Sequence, residues 1–325
     1  MSESLAGSGS AHAKVILVGE HAVVYQVPAL AVGLVEGARA HACRSEVARL
    51  TWGDSKPSTA VGSPEWLAFA ALCAELSTSS YAVEATLRIP SGVGLGASAA
   101  LGVAIARAIA NSEPRNGEQQ AAQDRDVLRA ADAWERVFHG NPSGIDTQAA
   151  LGGGCLSFVR GQPPRSIPVA PVGTLLVGVA GPAASTKAMV EKVADFCEQQ
   201  RARFEVILTQ IADLVAASEQ ALHAGDLALL GLQMRLNHAL LQELGTSTPA
   251  LDGACHLALQ AGAHGAKLTG AWGGGAVIAL VSAEHAPEVV RSWRARGIVT
   301  YLKALGPPDS NATQLSGPDA PCSRD

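Results

Sequence analysis

The chain has 325 residues, 48% hydrophobic and 16% charged. That supports one large or two ordinary globular domains and leaves little room for long disordered segments. The formal net charge is −5 and the cations are scattered, so neither nucleic acid nor an anionic membrane is expected as a partner. The six cysteines (Cys43, Cys73, Cys155, Cys197, Cys255, Cys322) show no C-x-x-C or Cys/His ligand spacing. Residues 1–13 lack a secretion-type leader and no apolar run reaches membrane-spanning length. Together these read as reduced thiols in a cytoplasmic protein.

Met1 to Ser10 is small and polar and reads as a frayed end. Lys14 to Val18 is predicted as a buried strand, too short for a helix. Gly19-Glu20-His21 breaks it, and an extended apolar pattern resumes from Ala22 to Leu34 around Pro28. A polar interval containing Trp52 to Asp54 and Lys56-Pro57 precedes a helix predicted over Glu65 to Leu76. Tyr81 to Ile89 alternates as a strand does, and Leu101 to Ala110 is a helix former apolar nearly all round, hence buried.

Between those two lies Pro90-Ser91-Gly92-Val93-Gly94-Leu95-Gly96-Ala97-Ser98-Ala99-Ala100. Strand, glycine turn and helix aim free backbone N–H groups and a positive dipole end at an anion. Gly92, Gly94 and Gly96 remove the Cβ atoms that would hold a phosphate away. Ser98, at the helix start, can cap the helix or bind a metal carried by phosphates. A Walker loop is excluded, because no lysine follows the glycines. A dinucleotide fingerprint stays open, since Gly92, Gly94 and Ala97 match G-x-G-x-x-A and Glu113 lies near the expected distance. So does simple tight packing of a helix on a sheet.

Asn111 to Gln123 is a polar loop, and Asp124 to His139 is predicted as a helix with the apolar stripe Val127, Ala131, Trp134, Phe138. Glu135 falls at the edge of that stripe, away from Arg129, Asp132 and Arg136. A carboxylate there snorkels, is paired, or binds a metal. In His139-Gly140-Asn141-Pro142-Ser143-Gly144-Ile145-Asp146, Ser143 and Asp146 have capping-box spacing for a short helix. Pro163 to Pro171 carries four prolines and is the best candidate domain boundary. Beyond it come a strand (Leu175 to Ala180), a helix opened by Ser185-Thr186-Lys187 and running to about Gln200, and helices Arg203 to His223, Asp226 to Leu244 and Leu251 to Gly262. A second glycine-rich stretch, Gly265 to Gly275, leads to a strand (Ala276 to Val281) and a helix (Ala286 to Gly297). Gly306 to Asp325 reads as a disordered tail.

Several of these stretches resemble the GHMP small-molecule kinases, and within them the members that act on mevalonate. They are Ala13 to Tyr25, Pro28 to Ala31, Pro90 to Ala100, Glu135 with His139 to Asp146, Ser185 to Lys187, and Gly265 to Gly275. The match spans most of residues 11–303. It implies an α/β plus α+β architecture: an N-terminal nucleotide-binding α/β domain over 11–165, a C-terminal ferredoxin-like domain over 166–305, and a tail over 306–325. It implies transfer of the ATP γ-phosphoryl to the 5-hydroxyl of mevalonate, giving 5-phosphomevalonate in isoprenoid biosynthesis, with ATP and Mg²⁺ as cofactors and mevalonate as the small-molecule partner. A homodimer is left open.

By the same resemblance, Asp146 is the base and Lys14 lies beside it and the transferring phosphoryl. Pro90, Gly92, Gly94, Leu95, Gly96, Ala97, Ser98 and Ala99 form the phosphate loop. Ser98 and Glu135 hold Mg²⁺, and Glu20, His21 and Thr186 border mevalonate. The chemistry suits these types: Mg²⁺ prefers oxygen ligands, and phosphoryl transfer asks mainly for positioning and charge neutralisation. Four positions depart from the family pattern. Ala97 replaces a usual serine, Gln26 a common glycine, Ala184 a basic residue and Trp272 a glycine. The alternatives are another kinase of the family (phosphomevalonate or homoserine type), a dinucleotide-dependent oxidoreductase, and a non-catalytic sensor. The oxidoreductase leaves Lys14, Glu135 and Asp146 without roles, and a sensor is expected to lack the base or the metal ligand.

Overall fold

The computed structural model describes residues 6–52, 60–78, 80–112, 120–140, 142–171, 173–181, 186–270 and 275–305. The first layer is a sheet led by β1 (Ala6–Val18), paired antiparallel with β2 (Ala29–Arg44). Between them a single 3-10 turn, Ala22–Tyr25, replaces the extended start expected from Ala22. Two residues outside the usual φ range, His21 (φ 61°) and Gln26 (φ 66°), flank that turn. β3 (Arg49–Trp52), α1 (Pro64–Glu75) and β4 (Tyr81–Leu87) follow. Ser63 caps α1 by accepting a hydrogen bond from Trp66 N at 3.2 Å, with Pro64 in the first turn, as capping chemistry requires.

α2 (Ala97–Asn111) is the buried helix expected after the glycine loop, and its alanines let it lie close on the sheet. That closeness corrects the reading of Met1 to Ser10 as frayed, at least from Ala6 onward. Residues 6–10 are part of β1, opposite Cys43 to Arg39. A Cβ at Gly7 would stand 2.1 Å from the Ala108 carbonyl oxygen, and one at Gly9 2.2 Å from that of Ala104. The small residues that suggest disorder are there so that β1 and α2 can touch.

α3 (Gln120–His139) starts before the expected Asp124. Gln123 is buried there and donates to Asn111 Oδ1 at 2.7 Å, so its amide is satisfied inside the fold and not in a loop. The stripe of Val127, Ala131 and Trp134 is fully buried as expected. α4 (Ile145–Gly152), β5 (Cys155–Phe158) and β6 (Arg165–Ser166) complete this layer. The sheet runs β3-β4-β2-β5-β6, with β1 on β2. The next strand after the glycine loop, β5, pairs with β2 and not with β4, so the adjacent parallel strands of a dinucleotide-binding βαβ unit do not form around the loop.

The second layer opens with β7 (Gly173–Val179), then α5 (Thr186–Gln199), α6 (Arg201–Ala224), α7 (Leu227–Glu243) and α8 (Pro249–Gln260). It closes with β8 (Gly265–Leu268), β9 (Ala276–Val281), α9 (Ala286–Arg294) and β10 (Val299–Leu305). Its four strands run β10-β7-β9-β8, every pair antiparallel. This is the ferredoxin-like order. β10 is an addition to the elements expected from the sequence, although its Val299, Thr300 and Tyr301 favour extended backbone.

One apolar core runs through both layers, from Val15, Leu17 and Leu30 to Val177, Phe204 and Ile278. Cys73, Cys155, Cys197 and Cys255 are free thiols. Among the described residues, no helix is long and apolar enough to cross a membrane. The expectations for Glu113, Ala184, Trp272 and the tail 306–325 fall outside the described residues.

Candidate active site

The glycine loop turns out of β4 and into α2 with Gly92, Gly94 and Gly96 at φ 78°, 83° and 72°. Gly96 is the N-cap of α2 and carries no side-chain cap, so the first helical N–H groups are left for a ligand. A Cβ at Gly96 would stand 3.0 Å from Lys14 Cγ, so this glycine also makes room for the lysine. Lys14, in β1, is buried; its backbone N–H donates to Leu95 O at 3.0 Å and its Nζ lies 3.5 Å from Gly94 O. Its ammonium forms an ion pair with Asp146 Oδ1 at 3.0 Å.

Asp146 is therefore not the cap partner that the Ser143 spacing allows. Gly144 is the N-cap of α4 and carries no side-chain cap. Thr147 Oγ1 donates to Asp132 Oδ1 at 2.7 Å and so fixes the start of α4 on α3. Asp146 keeps 32% side-chain exposure, against 3% for Lys14.

Glu135 does not snorkel. It is 2% exposed and accepts a hydrogen bond from Ser98 Oγ at 2.5 Å; Trp134 Nε1 donates to the same Oγ at 3.2 Å. Its other oxygen lies 3.6 Å from His139 Nε2. Burial pushes the Glu135 carboxyl up to about 7, with Asp146 and Asp132 adding to the rise and the Ser98 hydroxyl and Lys14 opposing it. Burial also holds His139 below the usual imidazole range.

These groups share one cavity of about 1040 Å³. Gly92, Gly94, Gly96, Ala97, Ser98 and Ala99 of the predicted loop line it, together with Lys14, His21, Glu135 and Asp146. Leu95 is buried behind the loop, where its carbonyl accepts from Lys14, and Pro90 is half-buried where the chain leaves β4. His21 presents a buried Nε2 with no hydrogen-bond partner. Burial first, and the Lys267 charge second, lower its pKa to about 4.

Glu20 is fully buried, is absent from the cavity lining, and is ion-paired to Lys267. Thr186 begins α5, and its side chain lies outside what the structure describes. Arg160, Trp52, Phe138 and His139 also line the cavity and were missed as site residues. His139 was within reach, four residues after Glu135 on one helix face. Arg160 and Trp52 carry no local motif.

The arrangement offers a backbone cradle for phosphates, a hydroxyl–carboxylate pair for a hard cation, and a lysine-paired carboxylate open to the cavity. Models of the GHMP kinase N-terminal domain and of the GHMP kinase C-terminal domain match residues 65–154 and 218–299. A mevalonate kinase of Aeropyrum pernix is 34% identical over 297 residues, covering 85% of this chain and 88% of the relative. One of Thermococcus sibiricus is 31% identical over 328 residues, covering 91% and 96%. Among solved structures, the L. major mevalonate kinase in complex with R-mevalonate superposes with a TM-score of 0.80 at 28% identity, covering 93% of this chain and 96% of that one.

Proposed function

The chain belongs to the GHMP kinase family, and on that premise we propose that it transfers the γ-phosphoryl of ATP to the 5-hydroxyl of (R)-mevalonate, giving 5-phosphomevalonate: a mevalonate kinase activity. The observation that carries the reading is the convergence, in one cavity, of the glycine loop, the Lys14–Asp146 ion pair and the Ser98–Glu135 pair. The mevalonate kinases related over nearly the whole chain support it further. We read the chain as two domains, as expected at 11–165 and 166–305, with the first extended back to Ala6 by β1 and on to Ser166 by β6.

In this reading the loop N–H groups and Lys14 hold the phosphates. Asp146 accepts the proton of the attacking hydroxyl, and Lys14 offsets negative charge on the moving phosphoryl. His21 Nε2, buried and unpartnered, faces the acceptor, and Arg160 supplies the positive charge that a carboxylate substrate needs. A magnesium ion fits the donors present. Ser98 and Glu135 place a hydroxyl and a carboxylate oxygen 2.5 Å apart, hard ligands that leave room for waters and phosphate oxygens. Bound there, the ion would neutralise phosphate charge.

The test is a coupled assay of ADP release with ATP and mevalonate, run beside phosphomevalonate and homoserine. Turnover with mevalonate is expected. Turnover confined to either of the others would overturn the reading.

A further inference from the structure

The mechanism above leaves Lys267 unused, although it is a fully buried cation in the second layer, joined to a fully buried Glu20 in the first. The two residues are 247 positions apart in the chain. Lys267 Nζ also donates to Leu268 O at 2.6 Å, while Glu20 Oε2 is buried without a hydrogen-bond partner. A buried ion pair with one oxygen unsatisfied is a poor source of stability, since desolvating both charges offsets most of their attraction. Burial accordingly pushes Glu20 up and Lys267 down, against their mutual attraction. Net stability does not account for the pair.

Its location suggests another account. The next residue, His21, holds φ 61° and ψ −46° without being glycine. Such strain persists only where the surroundings over-determine it, and it collects at functional sites. Three links from the second layer reach this segment. Thr269 Oγ1 accepts from Ile16 N at 2.9 Å and lies 3.0 Å from Ile16 O. Asn237 Oδ1 accepts from Gly19 N at 3.3 Å. Lys267 binds Glu20. β8 carries Lys267, and the residues just beyond it bear on the phosphate loop too, because a Cβ at Gly270 would stand 2.8 Å from Gly94 O. One strand end therefore references both halves of the cavity: the phosphate side through Gly94, the His21 side through Glu20.

We propose that Glu20 and Lys267 are positioning residues for the acceptor substrate: their buried ion pair ties the turn carrying His21 to β8 and fixes where the imidazole faces the cavity. Neither residue lines the cavity, so both act through His21. The kinetic arm of the test rests on mevalonate being the acceptor; a second arm does not.

The experiment compares the wild type with Glu20→Gln, Lys267→Met and the double variant Glu20→Leu/Lys267→Met. The single variants are expected to raise KM for mevalonate about tenfold or more, with KM for ATP within about twofold, because a small misplacement of a binding group costs rate out of proportion to its size. The double variant removes both charges and is expected to melt at or above the wild-type temperature while keeping the raised mevalonate KM. The second arm needs no substrate. The His21 imidazole resonance, assigned by its loss in His21→Gln, is expected to be single in the wild type and shifted or split in all three variants. A double variant with wild-type KM, or variants whose His21 resonance matches the wild type, would overturn the proposal. A wild type inactive on mevalonate would instead overturn the functional reading and leave the resonance to decide this one.

Discussion

Glu135→Gln separates what a buried carboxylate does for the fold from what it does for the site. Burial raises the Glu135 pKa from the ordinary value near 4.5 to about 7. Below 4.5 the carboxyl is protonated in both folded and unfolded chains and contributes nothing to the pH dependence. Between 4.5 and 7 the unfolded chain ionises while the folded one resists, so the folded state loses ground as pH rises. Above 7 the loss is complete. The gap is worth about 3 kcal/mol, at about 1.4 kcal/mol per pH unit. Glutamine keeps the shape and an acceptor for Ser98 Oγ but cannot ionise. Metal-free Glu135→Gln should therefore match the wild type near pH 4.5 and exceed it by about 3 kcal/mol at pH 8, read as about 5 °C in melting temperature. With saturating magnesium and a nonhydrolysable ATP analogue the order should reverse, since the amide is a poorer ligand for a hard cation. The Mg²⁺ requirement of the reaction should rise as well. A stability difference between variant and wild type that does not change with pH would refute the reasoning.

Asp146→Asn should lower kcat by about 10²-fold or more while nucleotide binding, measured by calorimetry, stays near wild type; near-normal turnover would return Asp146 to a structural role. Gly9→Ala should destabilise the fold by about 2 kcal/mol in urea unfolding, because the new methyl meets the Ala104 carbonyl; a frayed segment would absorb it without effect. Gln26→Gly should stabilise by up to about 1 kcal/mol, since Gln26 holds φ 66° where an L side chain is strained. A clear loss of stability there would show that the Gln26 side chain makes contacts worth more than the strain.

What the sequence made legible is what short-range spacing can encode. The glycine loop needs three glycines within five residues, and its strand and helix flank it directly. Trp134 and Glu135 belong to one helix whose stripe already placed the carboxylate at a buried edge. The meeting of Ser98 with Glu135 spans 37 residues and came from resemblance, not from periodicity. What stayed hidden depended on distant partners. Gly7 and Gly9 look like disorder until α2 is laid against them, and the strand-favouring Val299, Thr300 and Tyr301 of β10 find their ladder only on the distant β7. Glu20 reads as a cavity residue beside His21, and only the position of Lys267 on β8 draws it away. Local patterns report what a segment can form; they do not report which remote group fills the space beside it.

On the proposed reading the two carboxylates of the cavity do not exchange roles, and the reason lies in their neighbours. Asp146 has the Lys14 ammonium at 3.0 Å and keeps a third of its side chain exposed. Glu135 has a hydroxyl at 2.5 Å and an imidazole at 3.6 Å, and its side chain is 3% exposed. A base must reach the acceptor hydroxyl and afterwards release its proton, which favours the accessible group. A metal ligand must hold one oxygen at a fixed place beside the phosphates, which favours the buried group on a packed helix. Lys14 makes the separation effective, since its chain contacts the glycine loop through both Nζ and the backbone while its ammonium pairs with Asp146. A phosphate bound in the loop and a hydroxyl bound at Asp146 would thus be referenced to the same side chain. Two carboxylates set in such different surroundings suit divided labour in a site, and on the proposed reading the division follows from which of them the lysine touches.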